Sequence, residues 1–281
     1  MSLLDRVREC ARFDPAHYQP FRVDGTQVGQ IETAVADSLR RFEDVFKITG
    51  EAVDLADGLQ GFDRRTEAVA SVLETLRDDG MISGWRDEAY PVSAQFSEPP
   101  VFTMERAGVP LFGVRGYGVH VNGFVDDGRG IRMWVARRSV TKPTGPGKLD
   151  QVVAGGQPAG ISLADNLIKE CAEEAGIPEA LAAKALPVGT VSYRTERPEG
   201  LRDDVLFDYD LELPPDFEPR NTDGEVDAFY LWPMEQVMET LDGSDEFKFN
   251  SGLVVIDFLI RHGFIDPGHP DYVAIIEGLH R

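Results

Sequence analysis

Three glutamates near the middle of the chain are spaced so that they share one face of a predicted helix. Glu170, Glu173 and Glu174 lie within residues 162–176, and at 100° per residue they occupy a narrow arc beside an apolar half. Like charges at this spacing cost roughly 0.2–0.5 kcal/mol per pair. A hard divalent cation, Mg²⁺ or Mn²⁺, would offset that repulsion and is commonly shared with substrate phosphates. The pattern indicates either metal-assisted phosphate chemistry or a solvated acidic helix face.

The overall charge means that a phosphate substrate needs a local basic site. The 281 residues contain 49 Asp and Glu against 28 Lys and Arg, a formal net charge of −21. This charge repels nucleic acid and anionic membranes, so neither is an expected partner. A small anionic substrate requires a basic cluster or a bound cation. The best candidate cluster, whose members could instead be solvent-facing charges at strand ends, consists of Arg137, Arg138, Lys142 and Lys148.

The cysteine content and the hydropathy of the chain indicate the cellular compartment in which the protein is expected. Cys10 and Cys171 are the two cysteines, and they form neither a disulfide framework nor a zinc motif. The N-terminal residues mix charge into the first turn and lack the apolar core of an export signal. The longest apolar runs are far too short to span a bilayer. These features predict a cytoplasmic protein without a membrane segment.

The periodicity divides the chain into two predicted domains. Residues 1–108 are expected to form a small, mainly helical α+β domain, with helices over residues 32–46 and 67–76. Residues 109–281 alternate like strands, beginning with a hairpin that turns at residues 126–130. A strand at 152–156 ends in Gly155 and Gly156, whose lack of side chains allows a helix or ligand to approach closely.

The second half of the chain completes an α/β pattern. Further strands are predicted at 188–193, 205–211 and 226–231, with a polar loop at 194–204, and helices at 233–241 and 253–261. The acidic helix is expected to start at Ser162 and stop at Gly176. This order predicts a mixed sheet sandwiched between helices.

The segment from Gly155 to Ile177 resembles the Nudix box, Gly-x5-Glu-x7-Arg-Glu-U-x-Glu-Glu-x-Gly-U, in which U is a bulky aliphatic residue. The spacing fits throughout, and the three glutamates and Gly176 fall on family positions. The resemblance implies a Nudix α/β/α sandwich and a diphosphate hydrolase of the MutT-like kind. It also implies that Glu170, Glu173 and Glu174 hold the divalent cations.

Three positions depart from the box. Ile161 stands where the family has Glu, Lys169 where it has Arg, and Cys171 where it has an aliphatic residue. In the family that Glu and Arg mainly orient the loop through their mutual contact. Their joint replacement therefore favours a repacked loop over a lost metal site.

The likeness extends to one subgroup of Nudix enzymes, which has an N-terminal extension and occurs alone or fused to thiamine pyrophosphokinase. The motifs that carry it include residues 84–88, 117–123, 137–142, 146–150, 153–160 and 203–207. Membership of this subgroup implies hydrolysis of damaged thiamine diphosphates, such as the oxo and oxy analogues, to the monophosphate and phosphate. A homodimer is a further expectation from the family.

Glu225 lies at the start of a predicted strand. Many Nudix hydrolases take a further metal ligand or general base from a downstream acid at this place, so the resemblance implies either role for Glu225. Asp223 or Asp227 could take this role instead. The alternative is that Glu225 is an acidic residue of a surface turn with no catalytic or metal-binding role. In the implied reaction a metal-activated water attacks one phosphorus, and Glu225 or a helix glutamate such as Glu174 takes its proton.

Three other functions are compatible with parts of the pattern. A pyrophosphatase for nucleoside-diphosphate-linked compounds such as ADP-ribose would use the same helix and release AMP. An isoprenoid diphosphate isomerase is suggested by Arg138 and Lys142, but its active-site cysteine has no counterpart here. A phosphate-binding sensor that lost the glutamate at position 161 is the non-enzymatic alternative, and the intact glutamate trio argues against it.

Overall fold

The first region combines helices with strands. A computed structural model describes residues 1–280. Strands β1 and β2 pair antiparallel, β1 and β4 pair parallel, and the sheet order is β2-β1-β4-β3. A separate hairpin joins β5 to β6. The elements are α1 Leu3–Glu9, β1 Tyr18–Val23, β2 Thr26–Glu32, α2 Thr33–Leu39, β3 Phe46–Ile48, β4 Val53–Leu55, α3 Phe62–Asp78, β5 Ala89–Val92 and β6 Phe102–Glu105.

The α+β character predicted for this region is confirmed, but the positions of its six strands were not predicted. The helix predicted at 32–46 ends at Leu39, and Phe46 opens β3 instead. The helix predicted at 67–76 lies inside α3, whose inward face buries Val69, Val72 and Leu73. The sheet and α3 enclose one hydrophobic core around Phe21.

The second region is built on a seven-stranded mixed sheet. Its main path runs β11-β12-β7-β8-β13, with β10 paired to β7 and β9 to β8. The β7–β12 pair is parallel and the others are antiparallel. The elements are β7 Arg115–Asp126, β8 Ile131–Arg138, β9 Leu149–Gln151, β10 Val153–Gly156, α4 Leu163–Ala175, α5 Glu179–Ala182, β11 Leu186–Arg197, β12 Gly200–Glu212, β13 Val226–Pro233, α6 Met234–Gly243, α7 Ser251–Arg261 and α8 Tyr272–Leu279.

Helices cover both faces of this sheet. Along β8, Met133 and Val135 belong to the core formed with α6 and α7, whereas Trp134 packs on the core formed with α4. Since successive side chains of a strand point to opposite faces, α4 and the C-terminal helices lie on opposite sides. The predicted α/β/α sandwich with a mixed sheet is confirmed.

The first helix packs against the C-terminal helices and not against the N-terminal sheet. Leu3, Leu4 and Val7 share a core with α7 and α8. The Arg6 guanidinium donates to the carbonyl oxygens of Leu241 at 2.6 Å and Ser244 at 2.5 Å. Residues 1–10 therefore pack against and stabilise the C-terminal helices. Within residues 1–280, the helices lack the length and apolarity that crossing a membrane requires.

The polar loop predicted at 194–204 is wrong, because most of these residues continue the two strands. β11 and β12 pair as far as Arg197 and Gly200. Arg194 and Asp203 are directly opposite, and the Arg194 Nη2 donates to Asp203 Oδ2 at 2.6 Å. Opposite charges across a strand pair stabilise the sheet, so a charged sequence here is compatible with a hairpin.

Candidate active site

Helix α4 carries the three glutamates and begins and ends where its sequence predicts. The Ser162 hydroxyl accepts a hydrogen bond from the Asp165 N–H at 3.1 Å, which caps the first turn. The helix ends at Gly176. Its apolar face, including Cys171, packs against the sheet. This packing leaves the acidic arc beside the end of β10.

Glu174 is the buried member of the trio. Its side chain is 6% exposed, and its Oε2 accepts a hydrogen bond from the Ala154 N–H at 2.8 Å. Its Oε1 lies 3.9 Å from the Lys142 Nζ. Burial raises the pKa of the Glu174 carboxyl and lowers that of the Lys142 ammonium, while their mutual attraction acts in the opposite direction for each group. The carboxyl is fixed in place by β10 and faces a cation.

Glu170 and Glu173 share a different lysine. The Lys169 Nζ lies 3.0 Å from Glu170 Oε1 and 2.7 Å from Glu173 Oε2. Glu170 is largely buried and Glu173 is half exposed. Burial raises the pKa of the Glu170 carboxyl, and Lys169 opposes this shift. Gly155 leaves the space that this carboxyl fills, since a Cβ at position 155 would overlap it.

Glu225 joins the helix glutamates through Lys142. The Lys142 Nζ contacts Glu225 Oε2 as well as facing Glu174. The loop before Glu225 is anchored on the end of α4, where the Thr222 hydroxyl donates to the Glu173 carbonyl at 2.6 Å. The Glu225 N–H donates to Asp223 Oδ1 at 2.8 Å, so Asp223 serves the turn that presents Glu225.

A basic cavity of about 440 Å³ adjoins these carboxylates. Nine Lys or Arg residues line it, against three acidic residues, although the whole chain carries a net charge of −21. Lys142 and Ala154 belong both to its wall and to the surroundings of Glu174. The site thus combines an acidic helix face with a cavity suited to anions.

Comparison with known proteins gives the family. Residues 116–251 match the NUDIX domain, and residues 2–116 match a family described as a domain of unknown function, DUF4743. Nudix hydrolase 20, a chloroplastic protein of Arabidopsis thaliana, is 45% identical over 98% of this chain and 76% of its own length. The chain belongs to the Nudix hydrolases.

A second curated relative supports this assignment. The chloroplastic Nudix hydrolase 24 of the same plant is also 45% identical, over 98% of this chain and 77% of its own. The solved structure of DR0079 from Deinococcus radiodurans aligns with a TM-score of 0.46 at 20% identity, covering 60% of this chain and 98% of that one. The predicted hydrolase, of the Nudix and MutT-like kind, is confirmed.

Nudix hydrolases generally use divalent metal ions, and the donor chemistry of this site fits one. All four predicted ligands are carboxylates, and the Glu174 and Glu225 pair already accommodates a positive charge, that of Lys142. As the side chains stand, no three acidic, His or Cys residues among residues 1–280 are close enough to hold an ion. Lys142 and Lys169 engage the four carboxylates instead. Binding a cation at this Nudix helix therefore requires these lysines to turn away.

The altered positions of the Nudix box are compensated by two amides. The fully buried Asn166 Nδ2 donates to the Gly156 carbonyl at 2.8 Å and to Gln157 Oε1 at 3.0 Å. The Gln157 Nε2 in turn donates to the Ile161 carbonyl at 2.7 Å. The loop is thus held by an amide network in place of the family's Glu and Arg. This observation supports a repacked loop over a lost site.

The predicted basic cluster is only partly at the cavity. Arg138, Lys142 and Lys148 line it, but Arg137 is turned away and pairs with Glu246 at 2.9 Å. Gly155 and Gly156 line a smaller adjoining pocket of about 80 Å³.

Sequence reasoning missed several basic residues that line the main cavity. One of them, Lys248, has a largely buried side chain, and burial together with the charges of nearby cations lowers its pKa to about 8, although Asp150 acts in the opposite direction. The signal that could have found them is the need for positive charge in an acidic chain, but their sequence positions give no hint of convergence. The missed residues are Arg6, Arg86, Arg106, Arg197, Arg202 and Lys248.

The contact between Gly155 and Glu170 predicts a specific variant. Gly155→Ala should keep the fold, because the overlapping atoms are the end of a flexible side chain, yet it should displace the Glu170 carboxyl. Small displacements in a catalytic site cost about 10–10²-fold in rate, and we expect a loss of that size in kcat for diphosphate hydrolysis. Gly243→Ala, where a Cβ meets nothing within 4 Å, is the matched control. Equal rates in both variants would contradict this role of Gly155.

Proposed function

We propose that this Nudix hydrolase cleaves the phosphoanhydride bond of a small diphosphate with the help of Mg²⁺ or Mn²⁺, and that its substrates are oxidised forms of thiamine diphosphate. The products would be the monophosphate and inorganic phosphate. The two buried free cysteines support a reducing, cytoplasmic location. We also propose a homodimer, which light scattering would test.

The observation that carries this proposal is the shared wall between the carboxylate site and the basic cavity. The Ala154 N–H donates a hydrogen bond to Glu174, and the Lys142 ammonium faces the same carboxylate. Both residues also line the cavity. A diphosphate seated in the cavity would therefore lie close to the carboxylates of the acidic helix. The volume of about 440 Å³ falls within the range of roughly 300–1,000 Å³ that is typical of small-molecule sites.

Each residue of the site has a defined task under this proposal. Glu170, Glu173, Glu174 and Glu225 would hold the divalent cation, which when bound neutralises phosphate charge and makes water a better nucleophile. Arg138, which donates to the Thr144 carbonyl at 2.8 Å, shapes the loop that forms one wall. Lys142 exchanges its carboxylate contacts for phosphate oxygens. Glu225, more exposed than Glu174, accepts the proton of the attacking water.

The charge of the cavity bears on the choice of substrate. Thiamine diphosphate carries a fixed positive thiazolium ring, whereas the thiazolone ring of oxothiamine diphosphate is neutral. Nine basic side chains around the ligand would repel the thiazolium and leave the oxidised ring unaffected. Two unit charges about 8 Å apart interact by about 1–2 kcal/mol at an effective dielectric constant of about 20–40. We therefore expect kcat/KM to be about tenfold higher for oxothiamine diphosphate than for thiamine diphosphate.

Product analysis with Mg²⁺ or Mn²⁺ tests the proposal. The panel contains oxothiamine diphosphate, thiamine diphosphate, ADP-ribose and ADP, and the variants Glu173→Gln and Glu174→Gln exclude contaminating enzymes. Preferential release of phosphate and monophosphate from the oxidised compound is the expected result.

Two other outcomes would overturn parts of the proposal. Production of AMP from ADP-ribose at a higher rate would retain the Nudix chemistry and reject the thiamine substrate. Absence of turnover across the panel, combined with a ligand-dependent rise in melting temperature, would favour the phosphate sensor.

A further inference from the structure

Besides Met1, Arg6 and Glu9, two parts of the chain that lie far apart in sequence line the cavity. One wall comes from the Nudix region and includes Lys142, Arg202 and Lys248. Another part of the wall comes from residues 83–110, which precede the matched NUDIX domain, and it includes Arg86 and Arg106. A backbone hydrogen bond of 2.8 Å from the Ala159 N–H to the Ala89 carbonyl joins the two parts next to the Nudix loop.

Arg106 lies directly against the glycine pair that leads into the Nudix helix. Its Nη1 donates to Glu88 Oε2 at 2.7 Å, and its guanidinium packs 5.5 Å from the centre of the Tyr90 ring. The Tyr90 hydroxyl fills the space above Gly156, and a Cβ there would also come within 3.3 Å of the Arg106 guanidinium carbon. About a third of the Arg106 side chain, 37%, stays exposed. It can therefore donate to a ligand while Glu88 fixes its orientation.

Arg86 is presented without an acidic partner. Within residues 1–280, no carboxylate lies within ion-pair distance of its guanidinium, which donates only to the Gly84 carbonyl at 3.2 Å. Burial and the neighbouring Arg106 both lower the pKa of Arg86. An anion between the two guanidinium groups would relieve this repulsion.

One carboxylate organises the backbone that carries both arginines. Glu105 accepts hydrogen bonds from the N–H groups of Arg86 at 2.9 Å, Glu88 at 3.1 Å and Ala107 at 3.1 Å. The arginines are therefore held on a braced turn.

We infer that Arg86 and Arg106 bind phosphate oxygens of the substrate, so that the N-terminal region forms part of the substrate-binding pocket. The inference builds on the proposed function, because it assumes that the cavity receives the diphosphate. The planar guanidinium group suits bidentate contacts with phosphate. The Nudix helix then supplies the reactive half of the site, and the N-terminal region supplies affinity for the anion.

Binding of inorganic pyrophosphate tests the inference without requiring turnover. Calorimetric titration of the full chain should show that Arg86→Gln and Arg106→Gln each raise the Kd about tenfold, because each removes a charge-assisted contact. Steady-state kinetics on the hydrolysed substrate should show the same change in KM with a smaller change in kcat. The matched control is Arg40→Gln, an exposed arginine of the same region that pairs locally with Asp37 and does not line the cavity.

A second variant separates phosphate binding from a structural role of Arg106. Glu88→Gln breaks the same ion pair but keeps the Arg106 charge, so it should leave the pyrophosphate Kd within about twofold of the wild type or lower it. An equal loss of binding in Glu88→Gln and Arg106→Gln would show that pyrophosphate binding depends on the ion pair and not on the Arg106 charge. This result would overturn the proposed contact between Arg106 and phosphate. Unchanged binding in both arginine variants would overturn the inference as a whole.

The outcomes also separate this inference from the proposed function. If pyrophosphate binding depends on both arginines but none of the candidate diphosphates is hydrolysed, the proposed function fails and the inference stands. If the oxidised thiamine compound is hydrolysed equally well by the wild type and both arginine variants, the proposed function stands and the inference fails.

Discussion

Replacing Glu174 with glutamine should lower kcat/KM for diphosphate hydrolysis by about 10²–10⁴-fold. Glutamine keeps the shape of the side chain and can still accept the hydrogen bond from the Ala154 N–H. It removes the buried negative charge that faces Lys142, and with it a predicted ligand of the divalent cation. Binding of Mn²⁺, measured by calorimetry, should weaken in the same variant. The melting temperature should change little, because Lys142 keeps Glu225 as a counter-charge and the new side chain has the same size.

The matched control for this variant is Glu67→Gln, which makes the same change at an exposed position of α3 outside the site. It should retain the activity of the wild type. If Glu174→Gln kept more than about a third of the wild-type kcat/KM with the fold intact, Glu174 would have no catalytic or metal-binding role. Loss of Mn²⁺ binding without loss of rate would exclude the metal from the rate-limiting step.

The acidic helix could be predicted from sequence because all its signals are local. Ser162 and Gly176 mark its ends, and the spacing of Glu170, Glu173 and Glu174 defines its face. Local periodicity also predicted β7, β8 and β13. In each case the information lies within about one element of the chain, where the 3.6-residue or two-residue period is visible.

The N-terminal sheet and the cavity could not be predicted in the same way. Strand β1 contains Pro20, and β3 and β4 have three residues each, which is too short for alternation to appear. Arg106 and Lys248 both line the cavity, although more than a hundred residues separate them in the sequence. Such convergence depends on how the sheet and helices pack, and the charge of each residue alone does not reveal it.

The amide network around the Nudix loop could be predicted only in part from the sequence. The absence of Glu at position 161 and Arg at 169 could be read from the sequence, and a repacked loop was the expected consequence. The identity of the replacement, Asn166 with Gln157, became visible only when the loop was folded. Loss of a family residue therefore gives weak evidence for loss of function when a buried polar partner can take over its task.

The stability of the cavity wall should depend strongly on Asp150, whose side chain is almost fully buried. Its Oδ2 accepts a hydrogen bond from Arg138 at 2.8 Å and lies 3.9 Å from the Lys248 Nζ, and its Oδ1 accepts from the Ser251 hydroxyl. Burial alone would raise the pKa of Asp150, but Lys248 and Arg138 outweigh it and lower the pKa to about 2. This carboxylate is the main counter-charge for two buried cations.

Asp208 on β12 has the opposite environment and provides a matched comparison. It is 1% exposed, and neither of its carboxyl oxygens has a hydrogen-bond partner among residues 1–280. Burial, and next the nearby Asp257, raise its pKa well above the usual value. The side chain is therefore best accommodated in its neutral form, which asparagine imitates.

Asp150→Asn should lower the free energy of unfolding by about 3–5 kcal/mol at pH 7, because it leaves Arg138 and Lys248 buried without their counter-charge. The contribution of the wild-type Asp150 to stability is present above about pH 4 and is lost as the pH falls toward 2, so the difference in stability between variant and wild type should shrink in acid.

Asp208→Asn should show the opposite effect on stability. The raised pKa of Asp208 destabilises the wild type as the pH rises above about 4, so this variant should gain stability relative to the wild type as the pH increases, by about 1–3 kcal/mol. Urea unfolding of the three proteins between pH 2 and pH 8 measures both trends, the first below about pH 4 and the second above it. Parallel pH profiles for the two variants would refute the assignment of opposite charge states to these aspartates.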